Sequence, residues 1–233
     1  MNEIITDLEK LSERSDEIDV AKQGKLVQET NIKLKTIIKE QGLTALSAPA
    51  IGIAYRIFVI KFGDKLKCFI NPMIQKAEGL ELSREKCSSI PDKEFIRPRN
   101  NKIHVIYSTP LGKIESVMLA GKAATVFQHE MDHLDGLLIS DVGLEIDKDF
   151  DEATEEEKQE VLSAYLSSIS EAAKQFNEDL STDEETKETW NAAKFITSFA
   201  EGNIEIEKKE LSNRKKKQLN KILKMFKKKG IKI

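Results

Sequence analysis

Apolar positions between residues 16 and 40 fall at Ile18, Leu26, Val27, Leu34, Ile37 and Ile38. The spacing is close to a 3.6-residue period and predicts an amphipathic helix, interrupted at Gly24 and stopped at Gln41-Gly42. Small residues dominate from Leu43 to Gly52, and this stretch reads as a loop. Residues 56–62 and 65–71 flank a Gly63-Asp64 turn and predict a β-hairpin. Residues 102–107 and 113–119 alternate around Pro110-Leu111-Gly112 and predict a second. Residues 121–134 carry apolar side chains on several faces, as a mostly buried helix does. Beyond Phe150 only helical patterns occur. Residues 154–177 align Val161, Leu162, Tyr165, Ile169, Ala172, Ala173 and Phe176 on one stripe. Residues 186–200 form a second helix around Trp190, a packing anchor. Residues 211–229 form a third, with a narrow edge of Leu219, Ile222, Leu223 and Phe226. Strands followed by helices indicate an α+β chain.

Charge sharpens the division at about residue 150. The net charge is −3, but the stretch from Lys208 to Ile233 has twelve Lys/Arg against the single acid Glu210, or +11. The stretch from Glu145 to Glu188 has sixteen acids against four lysines, or −12. Such blocks mark appendages or interaction tails. The expected organisation is a domain over residues 1–150, an acidic helical extension over 151–207 and a basic amphipathic tail over 208–233. The tail has Phe226 as its lone aromatic, which argues against base stacking. Three readings remain open for it: a solvated helix face, contact with an anionic surface such as RNA, or packing on the acidic segment. Hydrophobic residues make up 39% of the chain, enough for a packed core and too many for a wholly disordered protein. The longest apolar runs, such as Ile57-Phe58-Val59-Ile60, are too short to span a membrane, and the first residues lack the features of a signal peptide. Cys68 and Cys87 cannot build a disulfide framework. A reducing, cytoplasmic setting is expected.

The sharpest chemical signal is His129-Glu130-Met131-Asp132-His133. Two imidazoles at i and i+4 share one helix face and can hold one metal ion, with the adjacent glutamate as a proton carrier. A catalytic metal site needs a third protein ligand. Two candidates compete: the acidic run from Glu152 to Glu157, and Cys87 in Glu85-Lys86-Cys87-Ser88-Ser89-Ile90-Pro91. Cys68 reads as core filler. His104, in a strand, reads as a surface or satisfied core histidine.

Three segments together resemble the peptide deformylases. Residues 43–52 resemble the family's Gly-x-Gly-Leu-Ala-Ala-x-Gln loop. Glu85-Lys86-Cys87-Ser88-Ser89-Ile90-Pro91 resembles Glu-Gly-Cys-Leu-Ser-Ile-Pro. Gln128-His129-Glu130-Met131-Asp132-His133-Leu134-Asp135-Gly136 is very close to Gln-His-Glu-x-Asp-His-Leu-x-Gly. The likeness covers about residues 15–145. It implies a peptide-deformylase-like core of antiparallel strands around a metal-binding helix, with the helical extension appended. It implies that Cys87, His129 and His133 bind one divalent metal ion, Fe²⁺ in the family's usual case, with Zn²⁺, Ni²⁺ or Co²⁺ also suited to the ligands. Glu130 becomes the general base and then the acid for the leaving amine. The Ser88 N–H becomes a donor to the oxyanion. Ala45, Leu46, Ala50, Lys86 and Arg99 fall along the substrate groove. The implied substrates are N-formylated nascent peptides. The family's C-terminal docking on the ribosome suits the stretch from Lys208 to Lys229.

Departures from the pattern bear on activity. Ala50 stands where the family has the glutamine that helps hold the oxyanion, and losing one such donor costs about 10²–10³ in rate. Leu43 and Ala45 replace glycines, Ser47 replaces an alanine, and Lys86 and Ser88 replace glycine and leucine. Lys86 or Ser47 is the candidate for a substitute donor within these motifs. The leading expectation is a diverged deformylase with reduced activity. The alternative is a deformylase-fold binding or assembly protein, of viral type for example, with little or no catalysis. A third reading is an unrelated metalloprotease with a glutamate ligand.

Overall fold

The computed structural model describes residues 4–180. At its centre, each of Ile57, Phe58, Val59 and Ile60 is at most 1% exposed, which a strand achieves only when both faces are covered. Successive side chains point to opposite faces, so the run feeds two clusters. Ile57 and Val59 join Val27, Leu34, Ile37 and Ile38; Phe58 and Ile60 join Phe69, Tyr107, Phe127 and Met131. On the second face the rings of Phe58 and Phe69 both meet Phe127 edge-on or tilted, with centroids 5.0 and 5.2 Å away.

The sheet has six strands. In the order β1 (Ala45–Ser47), β2 (Ile57–Phe62), β3 (Lys65–Cys87), β4 (Ile90–Ser108) and β5 (Ile114–Ala120), each pairs antiparallel with the next. The short β6 (Leu144–Ile146) pairs with β4. The helices are α1 (Leu8–Leu11), α2 (Gly24–Gln41), α3 (Lys122–Leu134), α4 (Ile139–Val142), α5 (Lys148–Glu152) and α6 (Glu155–Leu180). The antiparallel sheet with helices is the α+β arrangement expected from the pattern.

Both expected hairpins are present, but their strands run much further. β3 and β4 stay paired from Ile70 and Ser108 to Cys87 and Ile90, through register shifts near Asn71-Pro72 and Gln75. The expected helix over 16–40 is shorter. Residues 16–23 form a connection instead, and Gly24 is the first helical residue, not an interruption. Asp16 bridges Tyr55, and the Asn71 side chain takes up both the N–H and the C=O of Ile18, at 3.0 and 2.9 Å. These tertiary bonds replace a helical turn. At the other end Gly42 adopts φ 67°, the left-handed cap that glycine accommodates without strain. The small-residue stretch is not all loop: it contains β1 and a 3₁₀ turn over Pro49–Ile51.

Two devices hold the end of α3. Arg56 reaches the Asp135 carboxylate at 2.7 Å and the Leu134 carbonyl at 3.3 Å. Gly136, at φ 68°, presses on the Ser12 carbonyl so closely that a Cβ would overlap it. That contact explains the glycine in the His-Leu-Asp-Gly sequence.

The chain divides after Glu145 into two units. The described part of the second holds α5 and α6. Thr154 and Glu157 form a reciprocal cap at the start of α6, with Thr154 N–H donating to Glu157 at 2.9 Å and Glu157 N–H donating back at 3.3 Å. Tyr165 and Ile169 of the expected stripe are buried, and Val161 and Leu162 are half-buried. The helices expected over 186–200 and 211–229 lie outside the described residues.

Candidate metal centre

The i, i+4 spacing on α3 stacks His129 and His133 one turn apart, with ring centroids 5.1 Å from each other. The last residue of β3, Cys87, enters from the tip of the long hairpin. Its Sγ stands 3.3 Å from Nε2 of His133, and one ligand atom from each of Cys87, His129 and His133 lies within 4.8 Å of the others. Of the two candidates for a third ligand, Cys87 is the one drawn into this group; no residue of the acidic run 152–157 belongs to it. A thiolate with two imidazoles, nearly closed to water, matches the donor set of a catalytic divalent metal.

Strand geometry sets the surroundings. Glu85 is two residues before Cys87 and therefore on the same face of β3. Its carboxylate accepts from Nδ1 of His129 at 2.8 Å, which leaves Nε2 for the cluster. Arg99 of β4 clamps Glu85 in a fork, Nε at 2.7 Å and Nη2 at 2.9 Å. Its remaining Nη1 donates to Asp132 at 2.6 Å, and Arg97 donates to the same carboxylate. Gln128 ties α3 to β4, accepting from Asn100 N–H at 3.0 Å and donating to Asn100 C=O at 2.8 Å. One connected set of side chains thus orients the histidines.

The electrostatics follow from this packing. Burial pushes the Cys87 thiol up, but hydrogen bonds from His129 and His133 outweigh it and bring the group down to about 5. Burial opposes charge on His129, yet its bonds to Cys87 and Glu85 raise it to about 10. Glu85 is held well below the usual carboxylate range: Arg99 and His129 overcome its burial. Burial raises Glu130, against the positive charge of the two histidines. A raised carboxyl in a closed site is what proton transfer near neutral pH requires.

A cleft of about 960 Å³ opens onto Cys87, His129 and Glu130. Ala45, Lys86, Ser88 and Arg99 line it, as do the apolar Leu43 and Val126. Lys86 and Ser88 are exposed at the hairpin tip. Arg99 is only 2% exposed and spends its guanidinium on Glu85 and Asp132, so it supports the site through those carboxylates. Leu46 and Ala50, expected along the groove, belong to the apolar cluster on the α2 side of the sheet and do not line the cleft. His104, half-buried on β4, stands apart from the cluster, and Cys68 is core filler as expected.

Sequence reasoning assigned no role to Glu85, Arg97, Asp132 or Gln128. The available signal was position: Glu85 at i−2 from Cys87 on a strand, and Asp132 at i+3 from His129 on a helix.

Residues 1–148 match the model of the polypeptide deformylases. A peptide deformylase of Thermotoga petrophila is 40% identical over 97 residues, which is 41% of this chain and 59% of that protein. The match therefore spans less than two thirds of that relative. The crystal structure of the peptide deformylase of Thermotoga maritima superposes with a TM-score of 0.56 at 31% identity, covering 60% of this chain and 95% of that one. A probable peptide deformylase from synechococcus phage S-SSM7 gives a TM-score of 0.57 at 29% identity, over 60% of this chain and 99% of that one. With the family match over more than half of its length and the Cys–His–His cluster in the matched part, the chain belongs to the polypeptide deformylase family.

Proposed function

We propose that this chain is a metal-dependent hydrolase that removes the formyl group from N-formylmethionyl peptides. The observation that carries the reading is the convergence of Cys87, His129 and His133 beside the buried carboxylate of Glu130, at the floor of a cleft. Cys87, His129 and His133 hold one divalent ion, with Fe²⁺ as the first choice and Zn²⁺, Ni²⁺ or Co²⁺ chemically compatible. When bound, such an ion supplies a nucleophilic water at neutral pH and polarises the formyl oxygen. Glu130 takes the proton of the attacking water and delivers it to the leaving amine. Glu85 and Arg99 keep His129 in one tautomer. The backbone N–H of Ser88, at the rim of the cleft, donates to the oxygen that gains charge. Lys86 and Ala45 contact the peptide along the groove. The substrates are N-formylated nascent chains met in the cytoplasm, and the basic stretch from Lys208 to Lys229 serves as the contact to the ribosome or another anionic surface.

The test is formate release from a formyl-Met tripeptide by anaerobically purified, Fe²⁺-loaded full-length chain. Turnover that disappears in Glu130→Gln, with metal content unchanged, supports the assignment. A second reading, a deformylase-fold binding or assembly protein, draws on Ala50, which carries no donor and packs into the core. Full metal loading without formate release decides for that second reading.

A further inference from the structure

On α3, Lys122, Thr125, Val126 and His129 fall at i, i+3, i+4 and i+7, and all four line the cleft that opens onto the metal cluster. The helix thus gives the cleft one wall, with His129 at the cluster and Lys122 at the far end. Seven helical residues rise about 10.5 Å. An extended peptide covers that distance in about three residues. A chain whose formyl group meets the cluster therefore brings its second or third residue level with Lys122.

The other charged groups along the cleft are mostly held in pairs. Arg99 clamps Glu85, Arg84 reaches Glu94 at 3.0 and 3.1 Å, and Lys93 reaches Glu145 at 3.0 Å. Lys86 and Asp92 stand at the hairpin tip with opposite signs. At the far end Glu81 accepts from Nδ2 of Asn101 at 2.8 Å, and Oδ1 of Asn101 accepts from the Gly121 N–H at 2.9 Å. That bridge fixes the start of α3 against the hairpin. Lys122, the next residue, is exposed and makes no hydrogen bond or ion pair with any described residue. Nor does it serve its helix. It is the first residue of α3, where a positive charge opposes the helix dipole, and no acidic residue in the first turn offsets it. A local rule broken without compensation, inside a cleft, marks a functional position.

We propose that Lys122 is a specificity residue: its ammonium group pairs with a carboxylate on the second or third residue of the formylated peptide, so that acidic N-terminal segments are the preferred substrates. The proposal rests on the deformylase reading for its substrate. A contact this far from the reacting carbon acts on binding and not on the chemical step, so KM carries the effect.

The test uses the Fe²⁺-loaded full-length chain and formyl-Met tetrapeptide amides with Glu, Gln or Lys at the second or the third position. At low salt the Glu peptide exceeds its Gln counterpart about fivefold in kcat/KM at one of these positions, and the Lys peptide falls below both. The ratio of Glu to Gln drops to about one in Lys122→Ala, inverts in favour of the Lys peptide in Lys122→Glu, survives in Lys122→Arg and fades at about 0.5 M salt. Equal turnover of the Glu and Gln peptides by the parent, a preference for Lys, or a preference that outlasts Lys122→Ala overturns the proposal and leaves the deformylase reading intact. If the fully loaded parent releases formate from none of the peptides, that reading fails by itself. Calorimetric affinities of the same peptides for the Zn²⁺-loaded chain then decide: a preference for Glu over Gln that Lys122→Ala removes upholds the contact, and equal affinities overturn it.

Discussion

Cys68 and Cys87 lie on the same strand, β3, and are equally hidden, at 4% and 5% exposure. Their chemistry is opposite. Burial pushes the Cys68 thiol up to about 12, with Lys35 only slightly opposing it, whereas Cys87 is brought down to about 5. Cys68 belongs to the apolar cluster with Leu34, Ile37, Val59 and Ile70, where burial outweighs the charge of Lys35. Cys87 faces two imidazoles, one of them tied to a carboxylate. Burial alone therefore does not make a reactive cysteine. The groups brought opposite the sulfur decide, and at the two ends of one strand different groups are brought.

The largest test of this contrast is metal content. Cys87→Ala is expected to abolish stoichiometric binding of Fe²⁺ or Zn²⁺ and to lower deformylation at least about 10³-fold, while Cys68→Ala binds one ion per chain as the parent does. Elemental analysis of the two purified variants reads this directly, and metal retained by Cys87→Ala breaks the contrast.

Thiol alkylation of the metal-free chain at pH 7 should label Cys87 at least about a hundredfold faster than Cys68. Because the Cys87 thiol is depressed, its thiolate is present above about pH 5 and is lost below it. Its rate, followed by peptide mass spectrometry, should therefore rise through pH 5 and level off above it. Cys68 should show no plateau anywhere below pH 11. Added Zn²⁺ should protect Cys87 alone.

A smaller effect is expected behind the site. Glu85→Gln removes the charge that holds His129 and leaves Arg99 short of a partner, so metal affinity should fall about 10–100-fold in competition with a chelator. The same substitution should leave the environment of Cys68 untouched. An unchanged affinity would mean that His129 is oriented by packing and not by the carboxylate.

The smallest effect belongs to the inert end. Cys68→Ala leaves a small cavity between β3 and α2 and should cost about 1–2 kcal/mol in denaturant unfolding, with no change in metal content or turnover. A cost near zero would show that the sulfur adds little to the packing on that face.

Much of the site was legible in the chain because its geometry is local. His129, Glu130 and His133 needed only a helix to share one face, and residues 122–134 are helical for the apolar reasons visible in the sequence. The two turns at Gly63-Asp64 and Pro110-Leu111-Gly112 were marked by their own residues. The length of β3 was not, because its outer half is mostly polar and too sparsely apolar to show a sustained alternation; it is a strand through its pairing with β4. The helical pattern over 16–23 misled for the complementary reason, since Asn71 and Tyr55, distant in sequence, take the backbone bonds that a helical turn would have used.

By itself, then, the sequence determined the helix over residues 122–134, the shared face of His129 and His133 on it, the glycine stop at Gly42 and the change of character near residue 150. Each is a matter of neighbours within a few residues, where rotation per residue and side-chain chemistry leave little freedom. The tertiary structure alone decided that Cys87 meets His133 while Cys68 joins an apolar cluster, that Arg99 clamps Glu85, and that Ala50 packs into the core. These depend on the register of long antiparallel strands and on the packing of α3 against the sheet. Register is set by the sum of many cross-strand contacts, and a shift of one residue would send each of these side chains to the opposite face.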